Sequence, residues 1–227
     1  MIEISLLLAF GFLLGMKHAL DADHVVAVST IVSKSKSIRK SSLIGAFWGL
    51  GHTTTLLIVG IAILALKLVI PQAMALSFEF LVGIMLVALG LVIVRKFILE
   101  KYHFHFHEHE SSSHIHFHSH RRENNHSHMH RPFLIGLIHG LAGTAALSLL
   151  VLASVQTIYQ GILYILIFGL GSITGMLIMS SAISLPIIFS SKFINLRKIE
   201  LTAGLLSVLL GLVIISETYS WIYSVIY

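Results

Sequence analysis

Long apolar runs alternate with short polar joins along this chain. Six runs stand out, about Ile4 to Val32, Leu43 to Leu66, Phe78 to Val94, Pro132 to Thr157, Ile162 to Ser190 and Leu201 to Tyr223. Each is near or above the roughly 20 residues a helix needs to cross the hydrocarbon core of a bilayer. The pattern predicts an all-α integral membrane protein with six transmembrane helices and no room for a separate catalytic domain. The first run starts within a few residues of Met1, with no basic leader and no small-residue cleavage site. It is therefore expected to stay as a helix and not to be removed as a signal peptide.

Composition sharpens this picture. Of 227 residues 56% are hydrophobic and 11% charged, against about 25% charged in an ordinary soluble domain. The absence of cysteine excludes disulfides, iron–sulfur ligation and any thiol relay. A net charge of +5 would suggest nucleic acid in a soluble protein, but here the basic residues cluster between apolar runs and read as topology signals. No nucleic-acid partner is expected. Lys34, Lys36, Arg39 and Lys40 follow the first run, Arg95, Lys96, Lys101, Arg121, Arg122 and Arg131 the third, and Lys192, Arg197 and Lys198 the fifth, while the opposite loops carry only Lys67. By the positive-inside rule those three joins are cytoplasmic, both termini face out, and the chain is a multi-pass protein of the cell membrane.

One join is unlike the rest. Residues 101–131 hold His103, His105, His107, His109, His114, His116, His118, His120, His126, His128 and His130 among Ser, Glu and Asn. This is low-complexity sequence, expected to be disordered without a ligand. Alternating His-x-His can wrap a transition-metal ion with neutral imidazoles. It divides the chain into residues 1–100 with helices 1–3, a cytoplasmic histidine-rich loop at 101–131, and residues 132–227 with helices 4–6.

The two membrane halves resemble each other. A shift of 121 residues carries Gly15, His18 and Leu20 onto Gly136, His139 and Leu141, and Gly83 and Gly90 onto Gly204 and Gly211; a shift of 120 carries Gly49, Gly51 and Thr54 onto Gly169, Gly171 and Thr174. With three helices per half, the second copy must enter the membrane from the opposite side. Inverted three-helix repeats of this kind belong mostly to transporters, whose site lies near mid-membrane between the halves.

Chemistry-bearing residues sit inside the apolar runs. Lys17, His18, Asp21, Asp23 and His24 lie about halfway along the first, at a depth where each charge costs roughly 2.5 to 3.5 kcal/mol. On an unbroken helix His18, Asp21 and His24 share one arc with Lys17 while Asp23 points away, and the two histidines stand about 9 Å apart along the axis. Either the helix is broken here or other helices complete the site. Pairing of Lys17 with Asp21 would explain neither histidine. His52 and His139 add two more intramembrane imidazoles. Imidazole with carboxylate and no thiolate suits Ni²⁺, Co²⁺ or Zn²⁺ over Cu(I).

The run Lys17-His18-Ala19-Leu20-Asp21-Ala22-Asp23-His24 resembles the His-x4-Asp-His signature of the nickel/cobalt transporter family. Phe47-Trp48-Gly49-Leu50-Gly51-His52-Thr53 is similar to that family's Gly-His-Ser/Thr signature on the next helix. Gly175-Met176 resembles a later one, without the acid that follows it in the family, and His139-Gly140-Leu141-Ala142-Gly143-Thr144 stands where an acidic motif is found elsewhere. These features are most similar to the urease-accessory nickel permease branch. The resemblance implies a secondary transporter that moves Ni²⁺ or Co²⁺, holds no permanent cofactor, and uses His18, Asp21, Asp23, His24, His52 and His139 as its metal residues. Cytosolic nickel chaperones would be its partners beside lipid and the ion.

Uptake is the expected direction. No phosphate-binding loop is present for ATP coupling, and the membrane potential favours inward movement by about 4.6 kcal/mol per 100 mV for a dication. The alternatives are efflux for metal resistance, an intramembrane serine protease using Ser172 with His52 or His139 as base, and a metal sensor that does not transport.

Overall fold

The computed structural model describes residues 2–33, 35, 37–101, 130–154, 157–190 and 195–226. The expected histidine-rich loop falls mostly outside them, with all of its histidines from His103 to His128; His130 opens a helix. The regular structure among the described residues is all helix, with no strand: α1 Ile2–His18, α2 Ala22–Val32, α3 Ile38–Leu66, α4 Gln72–Lys101, α5 His130–Ser154, α6 Ile158–Ser190 and α7 Leu196–Ile226.

The first apolar run is two helices and not one. After His18 the backbone tightens, with Leu20 N–H donating to Lys17 O at 2.9 Å and Asp21 N–H to His18 O at 3.1 Å. Asp21 is extended, at φ −62° and ψ 148°, and starts α2 without lending its side chain as a cap. Aspartate competes with helical backbone through its short polar side chain and suits this boundary position. The two axes meet at 56°. Charge follows the helix dipoles, since Lys17 and His18 close α1 and Asp23 opens α2. Elsewhere, Ser37 caps α3 by accepting from Lys40 N–H, and α3 ends on Lys67 in the left-handed conformation.

Helix α3 packs between α5 and α6, α1 against α6, and α4 against α7. The contacts are close because glycines face backbone. A Cβ at Gly136 would meet the Trp48 carbonyl, and one at Gly15 the Phe168 carbonyl, so α5 on α3 and α1 on α6 approach as only small residues permit.

Polarity is arranged for lipid. Leu6, Phe10, Leu13 and Leu209 are more than half exposed on the outside of the bundle, while His24, His52, His139, Ser172, Ser180 and Ser207 are buried within it. An apolar belt of this extent has no place on a soluble protein. Helices α3, α4, α6 and α7 are each long and apolar enough to cross a membrane, and the bent α1–α2 pair makes a fifth span if taken as one. The described residues thus give four to five spans where the sequence predicts six; the remaining apolar stretch is the one in α5.

Candidate metal centre

The break between α1 and α2 assembles the site. His18 is the last residue of α1 and His24 lies in the first turn of α2, so the bend folds one ring onto the other, with centroids 4.6 Å apart. His52, halfway along α3, stands 5.0 Å from His24 and 5.2 Å from His18. His139 comes in from α5, 4.0 Å from His24. All four imidazoles predicted from sequence are together, and three of them are almost wholly buried.

Two carboxylates set the protons. An ionised carboxylate only accepts, so each ring nitrogen facing one must carry hydrogen. His18 Nδ1–H donates to Asp21 at 2.8 Å. Asp23 takes His24 Nδ1–H on Oδ1 at 3.1 Å and His139 Nε2–H on Oδ2 at 3.0 Å. The other nitrogens, His18 Nε2, His24 Nε2 and His139 Nδ1, are then bare lone pairs. His18 Nε2 faces His52 Nε2 at 3.3 Å, while His24 Nε2, His52 Nδ1 and His139 Nδ1 are buried with no partner. An unpaired buried polar atom costs about 1–3 kcal/mol, which a cation would offset. One donor atom each from His18, His24 and His52 lies within 4.8 Å of the other two, and the same holds for Asp23, His24 and His139. His24 belongs to both groups. Such carboxylate-oriented histidines are the usual surroundings of a bound transition metal.

Space is left beside the donors. A Cβ added to Gly143 would lie 3.3 Å from His18 Nε2 and 3.6 Å from His52 Cε1. His18, His24, His139 and both aspartates border a cavity of about 600 Å³ that continues between α4 and α7, past Leu76, Glu79 and Glu217 to Trp221.

Several expectations change here. Asp23 does not point away; it joins His24 to His139, because the helix is broken before it and the arc of an unbroken helix does not apply. Asp21 is the more exposed acid, at 49% against 27% for Asp23. It engages His18 and not Lys17. Ser172 is fully buried, and its hydroxyl bonds to neither His52 nor His139. Sequence reasoning missed Gly143 beside the donors and Glu79 and Glu217 in the cavity wall beyond them. Glu79 carried a signal only as the acid that the 121-residue shift places on Glu200.

A lipid-facing helical bundle built around buried imidazoles and carboxylates is an integral membrane protein. The family described as cytochrome C biogenesis protein transmembrane region matches residues 25–213. The urease accessory protein UreH of Bacillus sp. (strain TB-90) is 42% identical over 213 residues, covering 93% of this chain and 91% of that protein. The chain belongs to the UreH family. Neither description is that of an enzyme, and no solved structure matches.

Proposed function

We propose that this chain is a secondary transporter that carries Ni²⁺, with Co²⁺ as a second ion, inward across the cytoplasmic membrane. The observation that carries the reading is the convergence of His18, His24 and His52, with nitrogen donors within 4.8 Å of one another and with Asp21 and Asp23 fixing two of the three rings. In this reading the three imidazoles replace part of the ion's water shell. His52 contributes Nε2 by moving its proton to Nδ1. Asp21 and Asp23 orient the rings, and Asp23 with His139 offers an adjoining foothold through the shared His24.

Six spans arranged as inverted repeats complete the proposal, α1–α2 counting as one span and α5 as another. Its support is reciprocal packing. Gly15 faces the Phe168 carbonyl as Gly136 faces that of Trp48, and Gly51 faces the Phe133 carbonyl as Gly171 faces that of Phe12. Gly83 meets Gly211 as Gly90 meets Gly204. Contacts that exchange partners under the 120- to 121-residue shift are what a pseudo-two-fold axis between the halves produces, and rocking about it would expose the site to either side in turn.

Basic joins support an outer location for the start of α4 and the end of α7; in this reading the cavity opens outward and the histidine-rich loop lies inside, where it would buffer metal or pass it to chaperones. Potential drives a dication inward by about 4.6 kcal/mol per 100 mV. The test is net ⁶³Ni²⁺ movement into liposomes holding the full chain, with potential clamped and Co²⁺ and Zn²⁺ competing. Inward flux that follows the potential and is lost in His18→Ala supports uptake. Flux that demands an opposing proton gradient favours efflux, and retained flux in His18→Ala refutes the site.

A further inference from the structure

The cavity beyond the histidine cluster carries charge that coordination does not use. Glu79, in the third turn of α4, and Glu217, near the end of α7, both line it and are both exposed. Glu79 lies within electrostatic reach of Glu217 and of Asp23. With Asp21 and Asp23 this makes four carboxylates along one cavity, and among the described residues no Lys or Arg lines it. Like charges gathered within an apolar span, without a counter-cation, repel one another unless one is supplied. The cavity also points to what that cation is. At its inner end it is bordered by His24 and His139, each 1% exposed and each with a ring nitrogen that has no partner. A hard alkali cation has little use for those nitrogens, whereas a divalent transition-metal ion has.

We propose that Glu79 and Glu217 form a capture station for a hydrated divalent cation, ahead of the histidine cluster, and set how dilute a metal the protein can collect. The inference rests on the transport reading above. Because both carboxylates are exposed, the ion keeps its water there and is held by charge, with carboxylate oxygens accepting hydrogen bonds from that water. Dehydration is left to the imidazoles further in. A cleft lined by one sign of charge with apolar walls concentrates counter-ions and raises capture rates by 10- to 10³-fold. The station therefore governs the half-saturating concentration and not the rate once the site is full.

The test measures initial ⁶³Ni²⁺ influx against nickel concentration in clamped liposomes, at low and high ionic strength, for the full chain and for Glu79→Gln with Glu217→Gln. The double variant is expected to need about tenfold more nickel for half-saturation. Its saturated rate should fall less than about twofold, and its salt dependence should flatten because the screened charges are gone. Glu79→Asp with Glu217→Asp should restore both. Unchanged half-saturation and unchanged salt response in the double Gln variant overturn the capture station and leave the histidine site standing. So does a wild-type influx at subsaturating nickel that ignores ionic strength, a reading that needs no substituted protein. Absence of any influx by the wild-type chain removes the transport reading itself.

Discussion

His18 Nε2 and His52 Nε2 face each other at 3.3 Å across α1 and α3, and the far nitrogen of His18 is held by Asp21 at 2.8 Å. Two imidazoles in this arrangement compete for one proton unless a cation takes their lone pairs. The carboxylate decides the contest, because it demands the Nδ1 hydrogen and leaves Nε2 bare.

In the proposed site Asp21 would govern affinity without touching the ion. Asp21→Ala is expected to weaken Ni²⁺ binding about 10- to 100-fold while the number of sites per chain stays the same, as read by calorimetric titration of the purified protein. Loss of the site altogether would make Asp21 a ligand and not an orienting group.

In the proposed site Gly143 leaves the room that an ion would take beside His18. With a Cβ already 3.3 Å from His18 Nε2, Gly143→Val should eliminate nickel binding while the metal-free protein melts close to the parent. Gly143→Ala should fall between. Full-strength binding to the valine variant would show that the ion sits elsewhere.

Asp23 holds α2 to α5 through His139 and fixes the neighbouring His24 ring on α2 itself. Asp23→Ala leaves two ring N–H groups without an acceptor, which costs about 1–3 kcal/mol for each buried group left unpaired. A lowered thermal midpoint in detergent without metal is the expected result. Asp23→Asn, which keeps a carbonyl acceptor, should lose less. Equal midpoints for all three proteins would refute the bridging role.

The native chain has no cysteine, so a single introduced thiol reports without background. Leu76→Cys, in the wall of the cavity, is expected to react with a membrane-impermeant maleimide added outside intact cells. Reaction only after the membrane is opened would reverse the orientation.

Much of this was legible beforehand. Apolar runs located the helices, and the cost of burying His18, His24, His52 and His139 in lipid singled out the residues that the structure gathers. Which aspartate faces inward was not legible. Arc arithmetic assumes a continuous helix, and neither Gly nor Pro marks the stretch from Ala19 to Asp21; only the boundary preference of aspartate hints at a stop there. Gly143 and Glu217 were hidden for another reason. Their importance comes from which helices meet, α5 beside the α1–α3 junction and α7 beside α4, and periodicity within one helix carries no record of its neighbour.

The elbow at Ala19–Asp21 has a mechanical corollary. Because it alone brings the end of α1 and the start of α2 face to face, unbending by a few tens of degrees would part His18 from His24 while His52 and His139 stayed where they are. In the proposed transporter, grip and release would then be exchanged at this one joint, in step with the rocking of the two halves.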